Sequence, residues 1–332
     1  MCASRQPMLS RACCIVLSAL KVICSAGFDA VELAMPDLLA YGKVLNGEEP
    51  DASDYDTIVE VARAVKALAE EVGVGILMLK PFVNFEGWKL GLQDSEREDA
   101  FARARGWLMV MEALGTDMLQ KLASSDAEEI SPSVDDLAAD VAKLADMCAE
   151  EGFRVAYENR CWATRTRTWK AAWEIVKNAD KPNLGICLDT FQILGGEFGD
   201  PTTRTGLIED ICRAELESRC RASLRQLTAT VPAEKIFLVQ LSDAYRMDPP
   251  IKESRDSQAS LSRFRWSQDH RPLPFDGGYL PVHDVLRAVL NTDSRGWLSV
   301  EVFDSNEGLK FSDMEAFTKS AKETLQKLLL FS

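Results

Sequence analysis

Histidine is nearly absent from this 332-residue chain, with only His270 and His283 present. A zinc or relay site built on several imidazoles is therefore excluded. Cysteine occurs nine times but never as Cys-x-x-Cys, and the count is odd. That pattern reads as buried thiols in a reducing, cytoplasmic compartment rather than a disulfide framework or zinc knuckle. Basic residues are outnumbered, 38 Lys and Arg against 52 Asp and Glu, for a net charge of −14. No basic face is left to release counterions, so nucleic acid is excluded as a partner. No apolar run approaches the ~20 residues of a membrane span. Also missing are a Gly-x-Gly-x-x-Gly after an early strand and any Pro/Gly/Ser-rich linker. The first absence argues against a dinucleotide fold, the second for one domain over residues 1–332, with residues 1–17 an N-terminal segment of unassigned role.

What is present is a repeating cycle of amphipathic helix, glycine stop and apolar strand. The run Ala12 to Leu20, with Arg5 and Arg11 upstream, resembles a short secretory h-region. Its Leu17, Leu20, Lys21 and Cys24 continue in helical spacing, so it reads instead as a first strand passing into a first helix. Strands are expected over Phe28–Ala34, Val74–Leu79, Thr116–Leu122, Phe153–Asn159, Leu184–Asp189, Lys235–Gln240 and Trp297–Phe303. Helices are expected over Tyr55–Val72, Glu96–Leu114, Val134–Glu151, Thr166–Ala179, Ile208–Thr230, Val282–Leu290 and Ser312–Leu330. With a degenerate first strand inside residues 1–17, eight βα units make a (β/α)8 TIM barrel the expected fold. Leu194-Gly-Gly-Glu-Phe-Gly199 reads as a flexible lid, since it does not precede a helix as a phosphate loop would.

Four of these strands end alike, in an apolar run delivering one oxygen-bearing side chain: Glu158, Asp189, Gln240 and Glu301. In a parallel barrel such strand ends face one mouth, where three carboxylates would either raise one another's pKa or recruit a cation. Three anionic oxygens, one amide oxygen and no His or Cys suit a hard divalent ion such as Mg²⁺ or Mn²⁺.

A set of segments in family order extends this reading, among them Lys80-Pro-Phe-Val-Asn-Phe-Glu-Gly87, Tyr157-Glu-Asn-Arg-Cys-Trp-Ala163, Trp266-Ser-Gln-Asp-His-Arg271 and Gly296-Trp-Leu-Ser-Val-Glu-Val-Phe303. In these the chain resembles the xylose isomerase-like TIM barrels, the sugar phosphate isomerase/epimerase superfamily, and within it the 3-dehydroshikimate dehydratases of the fungal quinate type. The resemblance implies a metal-dependent lyase in quinate and shikimate catabolism. It would act on a small-molecule carboxylate with a divalent cation (Mg, Mn or Co) held by Glu158, Asp189, Gln240 and Glu301. It further implies His270 as proton-transfer group and Arg271 as carboxylate clamp; Lys80, at the end of its strand, is a further catalytic candidate, placed to reach the substrate carboxylate or to pair with the metal cluster. Asn84, Glu86, Arg160 and Gln192 would line the substrate pocket, with Trp162 as one wall. Bacterial members carry histidine where Arg160 or Gln192 stands here, which places the weight of proton transfer on His270. The family's first strand has no clean counterpart in Met1 to Leu17. Two rival readings are a sugar or polyol isomerase/epimerase on the same metal, and an inactive paralogue serving as a sensor. Nothing in the sequence bears on oligomeric state.

Overall fold

Apolar strands and amphipathic helices alternate along the chain, and the computed structural model describes residues 13–89, 91–124, 130–253, 261–305 and 313–331. Helix α1 (Cys13–Ser25) is followed by β1 (Ala30–Ala34), α2 (Met35–Asn46) and α3 (Tyr55–Val72). Next come β2 (Gly75–Phe82), α4 (Asp94–Leu114), β3 (Met118–Leu122), α5 (Val134–Glu150) and β4 (Arg154–Glu158). The middle holds α6 (Trp169–Ala179), β5 (Leu184–Asp189), α7 (Thr190–Glu197), α8 (Arg213–Thr230) and β6 (Ile236–Leu241). Then follow α9 (Ser262–Asp269), β7 (His270–Arg271), α10 (Val282–Leu290), β8 (Trp297–Val300), β9 (Phe303–Asp304) and α11 (Met314–Phe331).

Seven parallel strands curve into a barrel in the order β1-β2-β3-β4-β5-β6-β8. Period-two alternation sorts each strand's side chains into two layers. Outward residues such as Leu79, Leu119, Val155, Ile186 and Val239 join the large core beneath the helices. Inward residues Met78, Met118, Ala156, Cys187 and Leu238 pack a small apolar plug. Two residues further along the same strands stand Lys80, Gln120, Glu158, Asp189 and Gln240, so the barrel changes from apolar to charged within one pleat repeat. Side-chain caps and left-handed glycines fix several of the helix ends. Ser133 caps α5 through the Asp136 amide, and Gly73 (φ 78°) closes α3.

The sheet is not closed among the described residues, because β1 pairs only with β2 and β8 only with β6. The expected first strand is corrected in part. Cys13–Leu17 is already helix, since Leu17 and Leu20 share one buried face of α1. The remainder of that expectation, Met1–Ala12, lies outside the described residues. The expected lid is corrected too. Residues 190–197 form α7, and its glycines serve close packing, since a Cβ on Gly196 would sit 2.8 Å from the Arg167 carbonyl. Helix α8 begins at Arg213 rather than Ile208, because the Ile208 amide turns back to the Phe198 carbonyl at 3.1 Å. Among the described residues no helix is long and apolar enough to cross a membrane.

One position tests the strand spacing. A Cβ on Gly185 would lie 2.7 Å from both the Lys235 carbonyl oxygen and the Phe237 ring. Gly185→Ala must push β5 from β6, and is expected to cost about 1–3 kcal/mol in urea unfolding. An unchanged midpoint would contradict this packing.

Candidate active site

Eight side chains meet at the mouth of the barrel. Glu32 comes from β1, Lys80 from β2, Gln120 from β3, Glu158 from β4, Asp189 from β5 and Gln240 from β6. Arg271 comes from β7, and Glu301 follows β8. Lys80 Nζ lies 2.5 Å from Glu32 Oε2 and also bonds Glu301 Oε1. Arg271 Nη2 reaches Asp189 Oδ2 at 2.5 Å and Glu301 Oε2 at 2.9 Å, and the same guanidinium donates twice to Ser242 Oγ. Asp189 has its other oxygen in local use, since Oδ1 accepts the Phe191 and Gln192 amides as the N-cap of α7. Gln120 Nε2 donates to Glu158 Oε2 and, at 3.0 Å, to Gln240 Oε1.

Four carboxyls thus face two cations in a largely buried space. The imbalance appears in the proton affinities. Burial, reinforced by Asp189 and Glu301, pushes the Glu158 carboxyl well above its ordinary range. Burial likewise raises Asp189 to about 7, against the pull of Arg271. Glu301 goes the other way, to about 2, because Lys80 and Arg271 together outweigh its burial. Lys80 and Arg271 are both held firmly protonated, their carboxylate neighbours overcoming the cost of burial.

This donor chemistry fits a hard divalent cation, because Glu158, Asp189 and Glu301 supply oxygen alone and the cluster lacks two positive charges. The side chains are not gathered around an ion, however. No three His, Cys, Asp or Glu side chains among the described residues surround a common point as metal ligands would. Lys80 and Arg271 bind the oxygens that such ligands would use. Gln240 turns its Nε2 toward Glu32 at 2.9 Å and Glu301 at 3.1 Å, and its oxygen toward Gln120 and the Cys187 thiol. Its carbonyl is therefore not offered to the carboxylate cluster.

Above the cluster opens a cavity of about 810 Å³ whose lining includes Glu32, Lys80, Glu158, Arg160, Trp162 and Arg271. Its lining among the described residues also includes residues of β1, β8 and α11. Gln192 lines it as well, its side-chain oxygen accepting the Cys161 amide at 3.0 Å. Arg160 donates from Nε to the Ala123 carbonyl at 2.7 Å and lies 5.6 Å over the Trp162 ring. Three expected site residues are placed elsewhere. His270 and Arg271 are neighbours on one short strand, so when Arg271 faces the cluster His270 faces away. The imidazole is half-buried and kept neutral by that burial, but it does not line the cavity. Glu86 points into the outer layer, paired with Lys121. Asn84, at φ 50°, turns its carbonyl to Arg103. Sequence reading missed Glu32 and Gln120. Each is the lone polar interruption of an apolar inward row, the same signal that singled out Glu158.

The raised carboxyls fix how stability depends on pH. Asp189, at about 7 in the folded chain against 3.8 ordinarily, binds more proton folded than unfolded between those values, so stability falls as pH rises. Glu301, held down to about 2, acts oppositely only below its ordinary 4.5. Without added cation, the melting temperature is therefore expected to fall between pH 4.5 and 7. Asp189→Asn should make that fall shallower but not remove it, because buried Asp243 is also raised, to about 6. A flat profile in thermal melts would contradict the charge imbalance.

With this geometry in place, the relatives are informative. A family described as xylose isomerase-like TIM barrel matches residues 20–328. A 3-dehydroshikimate dehydratase of Neurospora crassa is 32% identical over 297 residues, covering 85% of this chain and 80% of the relative. One from Pseudomonas aeruginosa is 31% identical over 93% of this chain, which spans 39% of that longer protein. Among solved structures, a fusion of a xylose isomerase-like TIM barrel with 4-hydroxyphenylpyruvate dioxygenase superposes with a TM-score of 0.70. It is 26% identical and covers 94% of this chain and 40% of its own. The chain belongs to the xylose isomerase-like TIM barrel family, with the 3-dehydroshikimate dehydratases among its relatives there.

Proposed function

We propose that this chain is a carbon–oxygen lyase that dehydrates 3-dehydroshikimate to protocatechuate. In that reaction one C–H and one C–O bond break, a C=C bond forms and water leaves, after which a proton shift makes the ring aromatic. The observation that carries the reading is a cavity that presents fixed cations, Lys80 and Arg271, among converging carboxyl groups. Lys80, held protonated by Glu301 and Glu32, donates to the oxygen on which enolate charge develops. Arg160, on the cavity wall, takes the substrate carboxylate. Arg271 is saturated by Asp189, Glu301 and Ser242, so it holds the carboxylates in place rather than clamping substrate. Glu158, Asp189 and Glu301 would hold a divalent cation, which supplies Lewis acidity toward the ketone oxygen. A substrate carboxylate can pair with the Arg160 guanidinium on the cavity wall, which a neutral sugar cannot do, and this favours the dehydratase over an isomerase or epimerase.

Purified protein given 3-dehydroshikimate and Mg²⁺, Mn²⁺ or Co²⁺ is expected to develop protocatechuate absorbance, and EDTA to suppress it. Absence of product with every metal would remove the reading, and full activity in EDTA would remove the cation from it. Lys80→Met is expected to lower kcat by on the order of 10²–10³-fold, as loss of a donor to a developing oxyanion does.

A further inference from the structure

Behind the cavity wall lies a second buried charge cluster, made of groups that the proposed chemistry does not use. Lys121 on β3 and Glu86 in the loop after β2 pair at 2.5 Å, with side chains 0% and 1% exposed. Glu86 Oε1 accepts the Ser124 amide and the Tyr157 hydroxyl, both at 2.9 Å. The Glu86 carbonyl takes the Ser124 hydroxyl at 3.2 Å. Ser124 is thus tied to Glu86 through both backbone and side chain. The preceding residue is the other half of the device. The Ala123 amide donates to the Glu158 carbonyl at 2.9 Å, and the Ala123 carbonyl receives Arg160 through Nε and Nη2.

An unbroken path therefore runs from the Glu86 carboxylate through Ser124 and Ala123 to the Arg160 guanidinium on the cavity wall. We propose that Glu86 is a positioning residue: by fixing the turn after β3 it sets Arg160 to receive a ligand carboxylate. The assignment rests on the reading of Arg160 given above. Lys121 supplies the counter-charge without which a buried carboxylate would be too costly to keep. The bond to Ser124 and the charge balance are separable, because an amide at position 86 still accepts a hydrogen bond.

The test is a thermodynamic cycle read by calorimetry with protocatechuate as the carboxylate probe. The paired substitution Glu86→Met with Lys121→Met removes acceptor and charges together, a type of exchange that buried ion pairs commonly tolerate. It is expected to weaken binding on the order of tenfold, as is Arg160→Gln alone. Their combination should be no weaker than Arg160→Gln alone. Glu86→Gln with Lys121→Met, which keeps an acceptor for Ser124, should retain near wild-type affinity. Losses that multiply in the combined variant, or a methionine pair that binds like the wild type, overturn the role of Glu86 alone. A wild-type chain that binds no protocatechuate overturns the carboxylate site itself, and with it this assignment. Should the methionine pair not fold, Glu86→Asp, which withdraws the acceptor by one methylene, goes through the same cycle with the same two readings.

Discussion

The mouth of this barrel depends on two cations being shared among four carboxyls. Lys80 joins Glu32 to Glu301, and Arg271 joins Glu301 to Asp189. Glu301, touching both cations, is the best-compensated acid and the one held ionised most firmly. Glu158 accepts from the neutral amide of Gln120, and burial raises its carboxyl well above the ordinary range. A single shortage of positive charge thus leaves Glu158 and Asp189 raised while Glu301 is held down, so chemically similar groups at one mouth differ in proton affinity.

The barrel makes this affordable by layering. Met78, Met118, Ala156, Cys187 and Leu238 seal the floor one pleat below the charges. Because the plug is buried and apolar, the charges above it are poorly screened from one another. Asp189 serves both levels, since one oxygen answers Arg271 while the other caps α7.

Much of this was legible in the sequence, for a definite reason. Apolar runs interrupted once by an acid expose the strand period, and that alone places Glu158, Asp189 and Glu301 at one mouth. Glu32 carried the same signal but was passed over, because its strand runs straight into α2 with no loop to mark its end. His270 and Arg271 could not be told apart, since a two-residue strand displays no period and only the pairing with Phe303 and Asp304 fixes which side faces in. Glu86 looked like a pocket residue from its loop position, yet its direction is set by Lys121, 35 residues away in a different strand. Gly195 and Gly196 were read as flexibility when their role is clearance, a distinction composition alone does not carry.

The residues at the mouth also have a mechanical role. Among the described residues β1 and β8 do not pair with each other, yet Lys80 and the Gln240 amide each bond both Glu32 on β1 and Glu301 just after β8. The side chains that set the charge at the mouth therefore also tie together two strands that share no backbone ladder. In this barrel the ion pairs are hoops as much as reagents.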